Sequence, residues 1–392
     1  MKRIVIVGGG FAGVCAALQL ANKPGFKVHL ITPENYFQYH AALYRSATGR
    51  SPLEVAIPLR DFFEYAKNID VCNDKIEILD ENKKQVVGSS GSFYQYDELL
   101  LALGNNTAYY GIKGLEKYSY GVKSVQEALK LKRHLHDHLI KKDSECAYVV
   151  VGGGATGVEL SAEMMSYLHR IRRKHGVAKN DFSVYLVEAA DRVLGILPES
   201  FTKRVETRLK SLGVKLLLGT AVQAETAGKI ILPDSSIATH TVVWTAGVTN
   251  NPFFTTHDSI FKFGKLKRVV VNDYLEAAPH IYVLGDSAVT AFSGMAQTAL
   301  HDARFVTKNL LRIENGKTQI TYRPKKPIYA IPVGSRWAAV LWGKVAIFGR
   351  LGWLLRRAAD LRLYLTFLPL RKALTVWRYG VIDDESCCPT CE

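Results

Sequence analysis

Long apolar runs are missing from this sequence. No stretch of about 18 uncharged apolar residues occurs in it, so no transmembrane helix is predicted. Acidic residues are also scarce relative to basic ones, since 36 Asp and Glu stand against 51 Lys and Arg, a formal charge of +15. This excess favours an anionic partner, which could be a phosphorylated cofactor, a nucleic acid or an anionic membrane surface.

Cysteines are few and unevenly placed. Three are scattered and three lie together near the C-terminus: Cys15, Cys72, Cys146, Cys387, Cys388 and Cys391. This distribution does not form a disulfide framework and favours a reducing compartment. The C-terminal group contains a C-x-x-C spacing, but three thiols without a nearby His cannot complete a four-ligand zinc site. No metal site is therefore predicted.

The first glycine-rich motif follows the N-terminal strand directly. Lys2–Val7 is a short β-branched run, typical of a buried parallel strand, and an Ala- and Leu-rich helix is predicted beyond the motif. The G-x-G-x-x-G glycines are Gly8, Gly10 and Gly13. They permit a tight turn, backbone approach to a pyrophosphate and close helix packing, while the helix N-terminus attracts the anion. A dinucleotide-binding fold is predicted here.

The same pattern recurs later in the chain, at Gly152, Gly154 and Gly157. Glu188 ends the next predicted strand, where a carboxylate can accept hydrogen bonds from both ribose hydroxyls of NAD(H) and repel the 2′-phosphate of NADP. In the first unit, Thr32 stands at the corresponding place, with Glu34 as an alternative ribose ligand. Two motifs predict two dinucleotides, FAD in the first fold and a nicotinamide nucleotide in the second.

Two later segments indicate that the first fold resumes after the second. Leu99–Gly104 and His280–Asp286 are apolar runs that each predict a strand ending near glycine. Asp286 precedes a predicted helix over Ala296–Leu311 and is well placed to bind the ribitol or a phosphate of FAD. The predicted class is α/β, with two Rossmann-like domains and the second inserted in the first. The predicted bounds are 1–110 and 251–325 for the FAD domain and 111–250 for the NADH domain.

Taken in order, motifs over residues 1–315 resemble those of the two-dinucleotide-binding-domain flavoproteins, and within them the type II NADH:quinone oxidoreductases. The matching segments are VGGGFAG (Val7–Gly13), Asn35–Gly49, Tyr109–Gly114, VGGGATGVEL (Val151–Leu160), Val243–Val248, Leu284–Asp286 and Ala296–Ala299. The resemblance implies FAD and NADH as cofactors. It also implies NADH oxidation coupled to two-electron reduction of a quinone, without proton pumping.

For the FAD site, the resemblance assigns the pyrophosphate to Gly8, Gly10 and Gly13. Thr48 would lie near the flavin and Asp286 on the ribitol side. Gly104, at the end of the Leu99–Gly104 run, and Thr32 are assigned to the same cofactor.

For the NADH site, the resemblance assigns the pyrophosphate to Gly152, Gly154 and Gly157. Glu188 would bind the adenosine ribose, and Ala246 with Gly247 would pass close to the nicotinamide. Glu159 matches an acid of the family that lies near the nicotinamide and the flavin.

The quinone-site signature of this family is Ala-Gln-x-Ala-x-Gln. The corresponding residues are Ala296-Gln297-Thr298-Ala299-Leu300-His301, so His replaces the final Gln. A histidine can still form a hydrogen bond with a quinone carbonyl. The predicted catalytic residues are therefore Glu159, Gln297 and His301. The alternative is a helix that packs beneath the flavin without touching the substrate.

Cysteine placement separates this prediction from two related chemistries. Disulfide reductases of the superfamily need a Cys pair beside the flavin, commonly just after the second strand, and no cysteine lies between Cys15 and Cys72. Sulfide:quinone oxidoreductases need paired central cysteines, whereas Cys146 stands alone. Neither chemistry is predicted.

The segment Arg336–Gly380 combines basic residues with Trp, Leu and Phe. It has nine Lys and Arg residues and one acid, Asp360, and this pattern predicts an interfacial amphipathic helix divided in two by Pro369. Its basic face would meet anionic headgroups on the cytoplasmic side of the cell membrane. Residues 326–380 are thus a predicted peripheral membrane-association segment, and 381–392 a mobile tail. The alternative is a basic helix that packs within the chain or in a homodimer.

A peripheral enzyme that oxidises NADH and reduces a lipid-soluble quinone is the leading prediction. A soluble NAD(P)H-dependent reductase of a protein electron carrier such as ferredoxin is the first alternative. A flavoprotein that senses NADH without turnover is the second. No nucleic-acid partner is predicted, because no motif that reads nucleic acid occurs.

Overall fold

The structure is a computed structural model that describes residues 1–141, 146–176 and 182–384. The three C-terminal cysteines lie outside the described residues. In chain order, the first elements are β1 (Lys2–Val7), α1 (Phe11–Leu20), β2 (Phe26–Thr32), β3 (Tyr36–Gln38), α2 (Leu43–Ala47), β4 (Ala56–Pro58), α3 (Arg60–Phe63), β5 (Ile69–Asn73), β6 (Ile76–Asp80), β7 (Gln85–Gly88), β8 (Phe93–Gln95), β9 (Glu98–Leu101) and β10 (Asn105–Thr107).

The middle elements are α4 (Leu115–Tyr118), α5 (Val125–Lys141), β11 (Cys146–Val151), α6 (Ala155–His175), β12 (Phe182–Val187), α7 (Glu199–Ser211), β13 (Lys215–Leu217), β14 (Ala224–Thr226), β15 (Lys229–Ile231), β16 (Ser236–Ala238), β17 (Thr241–Trp244) and β18 (Val248–Asn250). The last elements are α8 (Pro252–Thr256), β19 (Glu276–Ala278), β20 (Ile281–Val283), α9 (Ala296–Glu314), β21 (Tyr329–Pro332), β22 (Ala338–Trp342), β23 (Val345–Gly349), α10 (Arg350–Phe367) and α11 (Leu370–Tyr379).

The first sheet has the strand order β19-β20-β9-β1-β2-β5, and all neighbours are parallel except β19 and β20. Side chains of β1 alternate between two cores, with Ile4 and Ile6 in one and Val5 and Val7 in the other. A strand buried on both faces needs this continuous apolar run. Helices α1 and α9 pack together on one face. The apolar run of β1 and the parallel sheet confirm the α/β class.

The second sheet is entirely parallel and has the order β13-β12-β11-β17. Its residues fall between β9 and β20 of the first sheet, so the chain leaves the first sheet and later returns to it. Strands β10 and β18 pair antiparallel where the chain passes between the two sheets. The carboxyl ends of β9 and β17 are thereby tied together, and the backbone of Ala108 bonds to that of Gly247 at 3.1 Å. The domain bounds given above remain a prediction.

The C-terminal part differs from its sequence prediction. Residues 329–349, expected to begin an amphipathic helical segment, instead form the antiparallel sheet β21-β22-β23. Gly343, with φ of +62°, makes the turn between β22 and β23. Helices α10 and α11 follow, and Pro369 separates them as predicted. None of the described helices is both long enough and apolar enough to cross a bilayer.

Candidate functional site

The first glycine loop, Gly8–Gly13, joins β1 to α1. Gly8 has φ of +115°, and a Cβ placed on it would lie 2.3 Å from the Ala102 backbone oxygen. A Cβ on Gly13 would lie 1.8 Å from the Gly8 oxygen, so the helix and the turn approach too closely for any side chain. Gly10 faces open space. The loop is therefore a tight cradle with one open side at a helix N-terminus, which suits a pyrophosphate.

The second glycine loop, Gly152–Gly157, repeats this geometry between β11 and α6. Gly152 has φ of +111°, and its Cβ would lie 2.8 Å from the Ala246 Cα. A Cβ on Gly157 would lie 1.8 Å from the Gly152 oxygen, while Gly154 faces open space. Ala246 thus stands against this loop just beyond β17, whereas a Cβ on Gly247 would meet the Ala108 backbone oxygen and the Tyr110 ring. The assignment of both residues to the nicotinamide stays a prediction.

The residues that follow β2 and β12 occupy equivalent places. Ile31 pairs with Val7, and Val187 pairs with Val151, so the next residues, Thr32 and Glu188, face the two glycine loops in the same register. The Glu188 carboxylate accepts hydrogen bonds from the backbone N–H groups of Gly153 and, at 2.8 Å, Ala190. It is half-buried at the rim of the loop.

Thr32 is buried, and a Cβ on Gly9 would lie 2.7 Å from its hydroxyl oxygen. Glu34, the alternative ribose ligand, is exposed beyond the strand. The first loop therefore has a neutral hydroxyl where the second has a carboxylate.

Asp286 lies on a turn next to the start of α9. Its carboxylate accepts hydrogen bonds from the Asn105 side-chain amide at 2.7 Å and the Gly294 N–H at 3.1 Å. Lys123 donates to the Asn105 oxygen, and burial lowers the pKa of Lys123. Gly104 adjoins the same turn, because its backbone oxygen accepts a hydrogen bond from Ser287 at 2.9 Å.

Asp302, on α9, holds the Gly285–Ser287 turn in place. It is fully buried, accepts a hydrogen bond from the Gly285 N–H at 3.0 Å and another from the Tyr322 hydroxyl at 2.6 Å. Burial raises the pKa of Asp302 to about 6. The side chain of Ala299 lies 3.2 Å from a Cβ placed on Gly285, so α9 touches the turn directly.

Thr48 does not present its hydroxyl to a cleft. The side chain is fully buried and donates to the Tyr44 backbone oxygen at 2.8 Å, at the end of α2. The Thr48 backbone oxygen accepts a hydrogen bond from Arg170 at 2.9 Å. Its assignment to the flavin stays a prediction.

Glu159 lies on the first turns of α6, two residues beyond Gly157. It is half-buried, and within the described part of the chain its carboxylate makes no hydrogen bond. Burial raises the pKa of Glu159 to about 8, although Arg356 and Arg45 lower it in part. A carboxyl group that keeps its proton near neutral pH can act as a proton donor.

Gln297 and His301 both bind backbone that follows α9. The Gln297 amide donates to the Ile328 oxygen at 2.7 Å and accepts from the Ile328 N–H at 3.1 Å. The Nε2 atom of His301 lies 2.8 Å from the Arg323 backbone oxygen. These two side chains therefore hold the segment that leads into β21, and their contact with a quinone stays a prediction.

A buried cluster of charges joins α2 to α10. Arg45 pairs with Glu54 at 2.6 Å and with Asp360 at 2.9 Å, and Arg356 pairs with Asp360 at 2.8 Å. Asp360 also accepts a hydrogen bond from Tyr39 at 2.5 Å. Tyr39 and Arg45 each lie more than 300 positions from Asp360 in the chain.

For two residues, this cluster corrects the prediction that the basic side chains of the C-terminal segment meet headgroups. Arg357 is buried, and Arg356 donates to the Ala41 backbone oxygen at 3.1 Å besides its pair with Asp360. Two of the nine basic residues thus face inwards, because buried carboxylates supply their counter-charges.

Sequence patterns did not identify Lys123, Asp302, Arg45 or Arg356 as site residues. The sequence contained one indication of these buried sites. Asp302 stands alone among the apolar positions of α9, and Asp360 stands alone among those of α10. An acid on the apolar face of a helix requires a buried partner.

The family described as Pyridine nucleotide-disulphide oxidoreductase matches residues 2–303. A type II NADH:quinone oxidoreductase of Staphylococcus haemolyticus is 26% identical over 377 residues, which cover 88% of this chain and 92% of that protein. The enzyme of the same name from Staphylococcus aureus (strain NCTC 8325 / PS 47) is 26% identical over 81% of this chain and 84% of its own length.

Solved structures have the same fold. NDH2 from Plasmodium falciparum in complex with NADH superposes with a TM-score of 0.88 at 16% identity, covering 97% of both chains. The sulfide:quinone oxidoreductase of Aquifex aeolicus has a TM-score of 0.79 at 19% identity, covering 97% of this chain and 92% of its own. The resemblance inferred from the motifs is confirmed.

Proposed function

Because the chain belongs to the pyridine nucleotide-disulphide oxidoreductase family, we propose that this oxidoreductase is a type II NADH:quinone oxidoreductase. It would bind FAD at the first glycine loop and NADH at the second, and reduce a lipid-soluble quinone without pumping protons. The repeated cradle, with Glu188 at the rim of the second copy, is the observation that carries the proposal. The full-length relatives named type II NADH:quinone oxidoreductase support it.

FAD suits the first loop because the open face at Gly10 and the Asp286 turn follow β1 and β20, the two strands that flank β9 in the first sheet. Asp286 and Thr32 offer an acceptor and a hydroxyl to the ribitol and the ribose, and Asp302 keeps the turn in place. When bound, FAD supplies a two-electron redox centre between a nicotinamide and a quinone. The protein orients the two substrates and excludes water.

NADH suits the second loop because Glu188 can accept hydrogen bonds from the adenosine ribose hydroxyls. The 2′-phosphate of NADPH would bring a second negative charge to this carboxylate. A preference for NADH over NADPH follows from that repulsion.

Glu159 is the residue that we propose to hold a proton for the quinone. Its carboxyl group is largely protonated at neutral pH, since its pKa is about 8, and no hydrogen bond with another described residue fixes that proton. Gln297 and His301 would shape the quinone site by fixing residues 323–328.

The outward face of α10 favours attachment to a membrane. Leu351, Leu354 and Leu365 lie on one face, with exposed fractions of 59%, 56% and 44%, while Asp360 on the opposite face is fully buried. Leucine side chains exposed to water are unfavourable in free energy, but on the outward face of a helix they can be buried in a lipid surface. The arrangement supports peripheral attachment through this face.

The apolar surface continues beyond α10. Trp342 and Val345, beside the turn between β22 and β23, are 63% and 60% exposed, and Leu370 at the start of α11 is 62% exposed. Arg350 and Arg362 are exposed near these side chains and could meet anionic headgroups.

Vesicle binding tests the attachment without deleting a segment. Removing α10 would take Asp360 away from the buried Arg45–Glu54 pair, so a truncation would test folding instead. We expect Leu351→Gln/Leu354→Gln to reduce co-sedimentation with anionic vesicles and turnover of a lipid-soluble quinone, while turnover of a soluble quinone stays unchanged. The matched control is Val71→Gln/Ile78→Gln, which removes exposed side chains of the first unit.

Three results would contradict the proposal. Equal vesicle binding by both double variants would exclude α10 as the attachment site. Breakage of a soluble homodimer by the α10 variant alone would assign that face to a second copy. Stimulation of NADH oxidation by an acidic protein carrier, with no response to any quinone, would favour the ferredoxin-type reductase.

A further inference from the structure

A groove runs along one face of α5, and the proposed function does not use it. It has a volume of about 340 Å³ and is lined by Tyr120, Lys130, Arg133, His134, Asp137, His138 and Lys141. Small-ligand sites have volumes of about 300–1,000 Å³. The groove is therefore large enough for a small ligand.

The groove is separate from the second glycine loop. His134 lies 2.7 Å from the Thr241 hydroxyl, at the first residue of β17, and Thr241 pairs with Tyr148. The glycine loop begins after Val151, three residues further along β11, or about 10 Å at the usual rise of a strand. A ligand in the groove would thus meet the second sheet near the amino ends of its strands.

Basic residues dominate the lining. Lys130 and Arg133 are one helical turn apart on the same face of α5, and both are exposed, as is Lys141 at the end of the helix. Asp137 is the acid among the described lining residues, and its carboxylate lies 3.2 Å from His136 Nδ1. The described lining thus has three Lys and Arg side chains and one carboxylate.

Stacked rings form a rigid wall beside these cations. The Tyr120 and His134 rings stack with centroids 4.5 Å apart, and the His134 and His138 rings follow at 5.3 Å. Burial and the neighbouring His138 lower the pKa of His134 to about 4, so its ring is neutral at physiological pH. A neutral imidazole beside two cations can donate a hydrogen bond to an anion without adding a charge that must be buried.

We propose that this groove binds a phosphate-bearing anion with at least two anionic groups. One group would lie between Lys130 and Arg133 beside His134, and Lys141 would attract the second. Ammonium and guanidinium groups that converge on one face are the usual ligands of phosphate. The proposal does not rest on the redox chemistry, because the groove shares no residue with either glycine loop.

Titration of inorganic pyrophosphate into the FAD-loaded protein tests this site, with NAD⁺ in excess so that the second glycine loop is filled. Calorimetry measures the affinity, and the His134 imidazole signal in NMR locates the ligand. We expect Lys130→Gln/Arg133→Gln to weaken binding by about tenfold or more, since charge-assisted hydrogen bonds are lost. Lys130→Arg/Arg133→Lys should retain it.

The control Lys262→Gln/Lys265→Gln removes the same charge from exposed positions elsewhere and should leave the affinity unchanged. Tighter binding of ADP than of pyrophosphate would support a nucleotide as the ligand, and equal binding would support the phosphate groups alone. Equal affinity in the two Gln variants, or no pyrophosphate binding at millimolar concentration, would overturn the proposal.

Discussion

The two glycine loops of this chain have nearly the same backbone, and two positions that flank them carry a carboxyl group in the second copy only. In each, the first glycine has a strongly positive φ, and the last packs against the oxygen of the first at the same 1.8 Å for an added Cβ. At the strand end, Thr32 corresponds to Glu188. On the helix, two residues beyond the last glycine, Cys15 corresponds to Glu159.

These differences separate what the fold provides from what the side chains specify. The cradle suits a pyrophosphate in either copy, because backbone N–H groups at a helix N-terminus can supply the contacts. The proposed ribose recognition and proton storage depend on two carboxyl groups that only the second copy has. Cys15 is instead buried against the Leu300 backbone oxygen, and burial raises the pKa of its thiol to about 11, so it packs without reacting.

A Gly→Ala substitution in one glycine loop should impair binding of the nucleotide assigned to that loop and leave the other nucleotide bound. Gly157→Ala brings a Cβ to within 1.8 Å of the Gly152 oxygen, and we expect NADH affinity to fall by about 100-fold, as for severe overpacking, while flavin stays bound. Gly13→Ala should instead lose flavin. Gly228→Ala is the control, because Gly228 lies outside both loops and an added Cβ would make only an ordinary contact at 3.7 Å. Flavin content and NADH titration measure both effects, and loss of flavin in Gly157→Ala would contradict the assignment.

Exchanging the strand-end residue should make the second loop behave like the first. Glu188→Thr removes a charged acceptor of two ribose hydroxyls, so we expect KM for NADH to rise by about tenfold and the preference over NADPH to shrink. Glu188→Asp should retain part of the preference. An unchanged ratio of the two kcat/KM values would exclude Glu188 from ribose recognition.

Glu159, two residues beyond the last glycine of the second loop, should determine how stability and quinone turnover depend on pH. The pKa of Glu159 lies above its ordinary value, so the folded state favours the protonated form and loses stability as pH rises from the ordinary carboxyl range through about 8. Quinone turnover should fall over the upper part of this range. In Glu159→Gln the stability loss should disappear and turnover should be low and flat with pH, whereas Cys15→Ser should keep the wild-type profile.

The smallest effect is expected at Thr32. Thr32→Ala removes one neutral hydroxyl, worth about 1 kcal/mol, so FAD affinity should fall by about fivefold. Thr32→Ser keeps the hydroxyl and serves as the control. Fluorescence titration of the apoprotein with FAD measures both variants. If Thr32→Ala lost flavin as completely as Gly13→Ala, the Thr32 side chain would contribute as much to FAD binding as the loop backbone. That result would contradict the assignment of FAD affinity mainly to the backbone.

Local patterns predicted the glycine loops, Glu188 and the break at Pro369, because each depends on residues close together in the chain. Asp302 and Arg356 were missed as site residues because each has a partner that tertiary packing supplies, the Gly285 N–H for one and the Ala41 backbone oxygen for the other. In the C-terminal segment, too, the sequence pattern predicted the helices but not their buried partners. Alternating basic and apolar residues predict an amphipathic helix but not which face turns inwards, and here buried Asp360 draws arginines inwards and leaves leucines outside.

Anaerobic mixing of the purified protein with NADH, followed by a quinone, tests most directly whether one chain couples two nucleotides to a quinone. We predict that NADH bleaches the flavin absorbance in a single fast phase, that NADPH does so far more slowly, and that the quinone restores the colour. A protein that retains no flavin on reconstitution, or whose colour NADH leaves unchanged, would contradict the account.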